Sequence, residues 1–197
     1  MNYIGYNCDI QTQINILHDI LKQNSLIYDI LNRAQNLGIK YYYISAGCIT
    51  QTVWNYLTEK DLMYGISDVD FIYYDDSDIS YEAENAVIEK VRREINADIE
   101  FDIKNQARVH LWYGKRFGYD IEPIISVEDS INRYEISAVA VGVRLENDVL
   151  KIYAPYGLND LFGMIFKPNK RQITREFYYK KAEKYNARWS DMTIIEW

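Results

Sequence analysis

The feature that most constrains this chain is Ser67-Asp68-Val69-Asp70-Phe71. From Ser67 to Tyr74 polar and apolar side chains alternate, with Asp68 and Asp70 on one face and Val69, Phe71 and Tyr73 on the other. Period-two alternation of this kind makes a strand. Its apolar flanks make it an internal strand, not a solvated acidic ribbon. Two carboxylates two residues apart project to the same side and repel. A divalent cation removes that repulsion, and hard oxygen ligands suit Mg²⁺ or Mn²⁺. A solvent-facing strand with two harmless acids is the competing reading of the pair alone.

The surrounding pattern predicts helices alternating with short strands. Ile10, Ile14, Leu17 and Leu21 recur at helical spacing behind a capping Asp9, and a second helix starts at Ser25 and ends at Gly38. Tyr41 to Ile44 reads as a buried strand running into Ser45-Ala46-Gly47, with a helix from about Ile49 to Leu57. An amphipathic helix over residues 81–95 leads to a strand from Ile99 to Ile103. Gln106 to Tyr113 fits a helix, an irregular segment or a continued strand. Ser137–Arg144 and Val149–Tyr153 form an expected hairpin, 158–166 an apolar helix, and about Thr174 to Arg188 a basic terminal helix. The expected fold class is α/β (α+β), a small mixed sheet flanked by helices. One domain is expected over 1–197, with N-terminal helices at 9–37, a core at about 40–166 and the terminal helix at about 174–188.

Composition narrows the function classes. Net charge is −7, with thirteen acids against three bases in residues 61–102 and eight bases against four acids in 164–197. An acidic balance argues against a general nucleic-acid coat protein, yet acids that hold a metal invert the local field and admit a polyanionic substrate. No apolar run is long enough to cross a bilayer, and Met1 to Asp9 carries no secretory pattern. Two cysteines, Cys8 and Cys48, supply no disulfide framework. A cytoplasmic location is therefore expected, with no membrane partner.

Two further features sharpen the acidic pair. Ala46-Gly47-Cys48 joins a buried strand to a helix, placing backbone N–H groups where phosphate binds. Phe101-Asp102-Ile103 offers a third carboxylate in a second apolar strand, and Glu100 shares its face. Three acids on neighbouring strands opposite such a turn suit two-metal phosphoryl transfer. If the Ile99–Ile103 strand continues, Arg108 and His110 share the face of Asp102, Arg108 meeting phosphate and His110 meeting base, acceptor or metal. A buried polar network that orients the acids is the alternative for both. Asn105 and Gln106 either read a base edge or satisfy backbone groups, and Lys167, Lys170, Arg171 and Arg175 either bind phosphate or nucleic acid or, as the preferred reading, form a solvated helix face.

These blocks resemble the nucleotidyltransferase superfamily that includes DNA polymerase beta, with its Gly-[Gly/Ser], Asp-x-Asp and isolated later acid. The chain is similar, more narrowly, to an uncharacterised bacterial nucleotidyltransferase-like family. The matching blocks are Ala46-Gly47-Cys48 with Val53-Trp54, Ser67 to Tyr73, Lys104 to Trp112, and Ala154 to Phe162. The resemblance implies a polymerase-beta-like core and metal ligands at Asp68, Asp70 and Asp102. It also implies a phosphate-proximal turn at Gly47. Cys48 stands where the family has Gly or Ser, and twenty residues separate Gly47 from Asp68, so the intervening loop must bulge. The implied activity is Mg²⁺-dependent transfer of an NMP from an NTP to a small-molecule, nucleic-acid or protein acceptor. A degenerate nucleotide- or partner-binding member, and a metal nuclease using Asp102-Ile103-Lys104, are the alternatives.

Overall fold

The computed structural model describes residues 3–197; Met1 and Asn2, the start of the expected 1–197 domain and of the segment inspected for a secretory pattern, lie outside it. Two helices open the chain, α1 (Ile10–Gln23) and α2 (Ser25–Ala34). Asp9 caps α1 by accepting from the Thr12 amide at 3.0 Å, and Asn24 caps α2 through the Ile27 amide at 3.2 Å. Each satisfies an amide that the first helical turn cannot. Strand β1 (Tyr42–Ser45) runs into α3 (Gly47–Leu57), then β2 (Asp68–Tyr73), α4 (Tyr81–Ile95) and β3 (Glu100–Asn105). After a 3₁₀ turn at Gln106–Arg108 come α5 (His110–Phe117) and α6 (Val127–Asn132). The hairpin β4 (Gly142–Glu146) and β5 (Val149–Tyr153) follows, then α7 (Asn159–Phe162), β6 (Ile165–Phe166), α8 (Arg175–Asn186) and β7 (Thr193–Ile194).

The main sheet has the order β3-β2-β1-β4-β5, with β2 and β3 parallel and the other neighbours antiparallel. This is the expected mixed sheet flanked by helices, and β2 is internal. On one face Ile44, Val69, Phe71, Phe101 and Ile103 pack with Leu17, Leu21, Ile27, Leu31, Trp54 and Val91 of the helices. A fully buried side chain such as Phe71 contributes about 1.5–3 kcal/mol by leaving water. On the opposite face Tyr43 and Ile72 meet Val127, Ile131 and Ala140. The alternation of β2 therefore buries its odd residues under α1–α4 and turns its even ones toward the side partly covered by α6.

Three expectations are corrected. The strand expected to begin at Ser137 begins at Gly142; Ser137–Val139 is a 3₁₀ turn whose Ser137 amide bonds Lys167 O at 3.0 Å. The helix expected over 158–166 stops at Phe162, since Met164 takes a φ of +50° and the chain leaves as β6. The β3 strand does not extend to Arg108, because the Asn105 side chain accepts from the Ala107 amide at 3.1 Å and starts the 3₁₀ turn. The long segment before β2 is held by buried amides. Asn55 Nδ2 donates to Leu62 O (3.2 Å) and Tyr64 O (2.8 Å), and Asn24 Nδ2 donates to Leu62 O at 3.3 Å. The extra residues are therefore pinned against α2 and α3.

Candidate active site

Parallel pairing of β2 with β3 fixes the acids. Asp70 stands opposite Asp102, and Asp68 opposite Glu100. Paired residues of neighbouring strands point to the same face, so all four carboxylates share one side of the sheet. Lys104 shares it too, and its Nζ forms an ion pair with Asp102. Asp68 is exposed and accepts from Ser67 Oγ at 2.8 Å. Asp70 lies deeper, and no hydrogen-bond donor among the described residues reaches its carboxylate. Burial, then the charges of Asp102 and Asp68, push the Asp70 carboxyl up to about 7, against the pull of Lys104 and Lys181. Burying a carboxylate beside like charges raises the free energy of its ionised form.

Asp70 opens into a cleft of about 290 Å³ lined also by Ala46, Lys104, Trp112, Tyr113, Tyr134 and Lys181. Ala46 precedes α3 with φ 60° and ψ −129°, a region costly for a residue with a Cβ, and it offers no side-chain cap. Its amide is anchored to Val141 O at 3.1 Å. The first turn of α3 thus meets the cleft without a capping side chain, and unsatisfied N–H groups with the helix dipole favour an anion there. At Gly47 a Cβ would lie 2.9 Å from Gln51 Nε2, so a larger residue would displace that amide.

Cys48 is buried and its Sγ donates to Ser45 O at 3.3 Å. Burial, with Asp70 nearby, pushes its thiol far up. The side chain is packing, and position 48 can serve a ligand only through its backbone. Arg108 does not join the acids. It pairs with Glu84 of α4, donates to Ile79 O at 2.8 Å and lies over the Tyr81 ring. His110 starts α5 beside the cleft-lining Val109, and its buried Nδ1 has no hydrogen-bond partner among the described residues. Asn105 satisfies backbone groups at Asp75 and Ala107, whereas Gln106 lines the cleft.

The donor set suits a hard divalent cation, being carboxylates only, one of them half-buried and without a hydrogen bond among the described residues. As the side chains stand, no group of three or more His, Cys, Asp or Glu among the described residues is arranged to hold a metal ion. The Asp102 carboxylate is instead paired with the Lys104 ammonium.

Three cleft residues carry no mark in the sequence pattern that the acids carry. Tyr134 shares a hydrogen bond with Ser45 Oγ at 2.8 Å, and burial with nearby Asp70 pushes its hydroxyl far up, so it remains protonated. Glu135 Oε2 accepts from Lys181 Nζ at 2.7 Å. Tyr134 and Glu135 follow α6 in a stretch with no periodicity, so nothing local singles them out. Lys181 had a weaker signal: it falls in the i, i+3, i+4 stripe Tyr178-Lys181-Ala182-Tyr185 that faces inward on α8.

Among the described residues no helix is long and apolar enough to cross a membrane. No curated protein matches the chain. A solved NMR structure described as revealing a CCA-adding enzyme head domain superposes with a TM-score of 0.72 at 21% identity, covering 98% of this chain and 100% of that one. That likeness establishes the fold, a mixed sheet flanked by helices arranged as in that head domain. A nucleotidyltransferase family model matches residues 32–194, which span the sheet, the acids and the cleft. The chain belongs to the nucleotidyltransferase family.

Proposed function

We propose that this protein transfers a nucleoside monophosphate from an NTP to an acceptor, releasing pyrophosphate, with Asp68, Asp70 and Asp102 holding Mg²⁺ or Mn²⁺. The observation that carries this reading is Asp70, a half-buried carboxylate without a hydrogen bond among the described residues, in register with Asp102 on the wall of the cleft. A bound divalent cation supplies charge neutralisation for the triphosphate and acidifies the attacking hydroxyl. The uncapped start of α3 at Gly47 adds N–H donors for phosphate oxygens. The acceptor oxygen attacks the α-phosphorus, and the bond to the α–β bridging oxygen breaks. The hydroxyl proton passes to an Asp102 carboxylate oxygen, and pyrophosphate leaves. Positioning and electrostatics carry such a reaction, so the ligands matter more than any single base.

One observation favours a second reading. The Lys104–Asp102 ion pair neutralises the third acid, which suits a member that binds nucleotide without turning it over. Incubation with each labelled NTP, Mg²⁺ or Mn²⁺ and candidate acceptors separates the two when pyrophosphate release is followed in parallel. Label transfer with stoichiometric pyrophosphate supports the transferase. NTP binding without release supports the binder.

A further inference from the structure

Three cations line the cleft, and Arg133 is committed. Arg133 makes two bonds to Asp129, the shorter at 2.6 Å, and donates to Glu122 O at 2.8 Å and Pro123 O at 3.2 Å. Lys104, on the acid-bearing β3, has one carboxylate partner, Asp102. Lys181 comes instead from α8, outside the acid-bearing sheet. Its ammonium has one hydrogen-bond partner, Glu135 Oε2, and both side chains keep 32% of their surface exposed. It lies on the inward stripe of α8, whereas Lys180 and Lys184 are exposed. Its charge also acts on Asp70. The ammonium also lies 5.7 Å from the centroid of the Phe177 ring, and its flexible four-carbon stem lets the head group swing while the helix stays fixed.

From this arrangement we infer that Lys181 exchanges Glu135 for the polyphosphate of the bound nucleotide, resting on the transferase reading above, and so selects triphosphates and holds the departing pyrophosphate. A lysine–carboxylate pair exposed to about a third gains little net free energy, so releasing it costs little. A polyphosphate offers the ammonium several anionic oxygens in place of one carboxylate. Glu135 keeps the cation oriented into the cleft before nucleotide arrives and remains as a negative group that opposes an unneeded anion there.

The test is calorimetric titration of Mg²⁺-pyrophosphate, each Mg²⁺-NTP and each NMP into wild type, Lys181→Met, Lys181→Arg and Glu135→Gln, with thermal unfolding of each variant as a folding check. Lys181→Met is expected to weaken pyrophosphate and NTP binding about ten- to a hundredfold, the loss of one charge-assisted contact, with NMP affinity unchanged. Lys181→Arg should restore most of it, and Glu135→Gln should bind pyrophosphate at least as tightly as wild type. Folded Lys181→Met that binds NTP and pyrophosphate like wild type overturns the inference and leaves the transferase reading standing. Equal losses for NMP and NTP also overturn it, because the lysine would then not sense the β- and γ-phosphates. Wild type that binds no nucleotide and no pyrophosphate overturns both.

Discussion

Asp70 of β2 and Asp102 of β3 are direct register partners across the parallel pair of the sheet. Opposed like charges destabilise a strand pair. Here Asp70 is also half-buried, so its charge is the costlier. Lys104 offsets the exposed half of the pair and leaves Asp70 without a hydrogen-bonding donor.

That arrangement gives stability an inverted pH dependence at this residue. The Asp70 carboxyl is pushed from 3.8 up to about 7 by burial and by Asp102 and Asp68. Between those values the folded protein holds a proton that the unfolded chain has lost. Stability from this group is full below the unfolded value and falls as pH rises through about 7. Asp70→Asn should therefore be more stable than wild type at pH 8 by a few kcal/mol, because each tenfold weakening of an acid corresponds to about 1.4 kcal/mol. The gap should close toward pH 4. Urea denaturation at both pH values checks this, and an Asp70→Asn protein less stable at pH 8 would remove the like-charge account.

A cation that relieves the repulsion binds the folded state preferentially. Saturating Mg²⁺ or Mn²⁺ should raise Tm by about 5–10 °C at pH 8, taking a hundredfold excess over Kd in a domain of this size. The rise should shrink at pH 6, where Asp70 is protonated and metal must displace the proton. Differential scanning calorimetry of wild type beside Asp68→Asn/Asp70→Asn makes the check. Equal shifts in the two proteins would place the cation elsewhere.

What the sequence made legible was what a periodicity of two or of about 3.6 can carry. Alternation about Asp70 placed β2 inside the sheet with its acids on one face, and Asp9, Ser25 and the 81–95 segment marked helices. Contacts distant in sequence were not legible. Nothing near Arg108 announces Glu84, twenty-four residues earlier, as its partner, or the Asn105 side chain as the device that ends β3. Numbering by parity then carried Arg108 onto the face of Asp102, where the chain does not take it. The cleft wall at Tyr134 and Glu135 was hidden for the same reason, since those residues become neighbours of Asp70 only when α6 and α8 fold over the sheet.

The two cysteines should separate cleanly by reactivity. Cys8 is exposed and Cys48 is buried, with a thiol pushed far up by burial. Thiolate is the reactive form, so iodoacetamide at pH 8 should label native protein once, at Cys8, and label unfolded protein twice. Peptide mass mapping reads the site. Cys48→Ser exchanges a weak donor to Ser45 O for a stronger one in a buried space and should retain NTP binding. If alkylation of native protein at Cys48 occurs at the rate seen for Cys8, the turn before α3 opens far more readily than its packing allows.

Lys104 divides the remaining readings. Its ammonium holds Asp102, the register partner of Asp70. In the transferase the indispensable groups are the ligands, because metal-held positioning and charge neutralisation carry the reaction. Asp68→Ala and Asp70→Ala should each abolish nucleotidyl transfer, while Lys104→Ala should leave a measurable fraction. Removing Lys104 also frees Asp102, so the Mg²⁺-induced rise in Tm should be at least as large as in wild type. In a metal nuclease the lysine would stabilise the attacking hydroxide and the charge developing on phosphorus, and Lys104→Ala would be as damaging as losing an acid. Labelled-NTP incorporation run beside plasmid cleavage on these three variants and wild type decides among them. Cleavage that depends on Lys104, with no label transferred from any NTP, would overturn the transferase. Intact NTP binding with neither activity, in wild type and in Lys104→Ala alike, would leave a nucleotide-binding member without turnover.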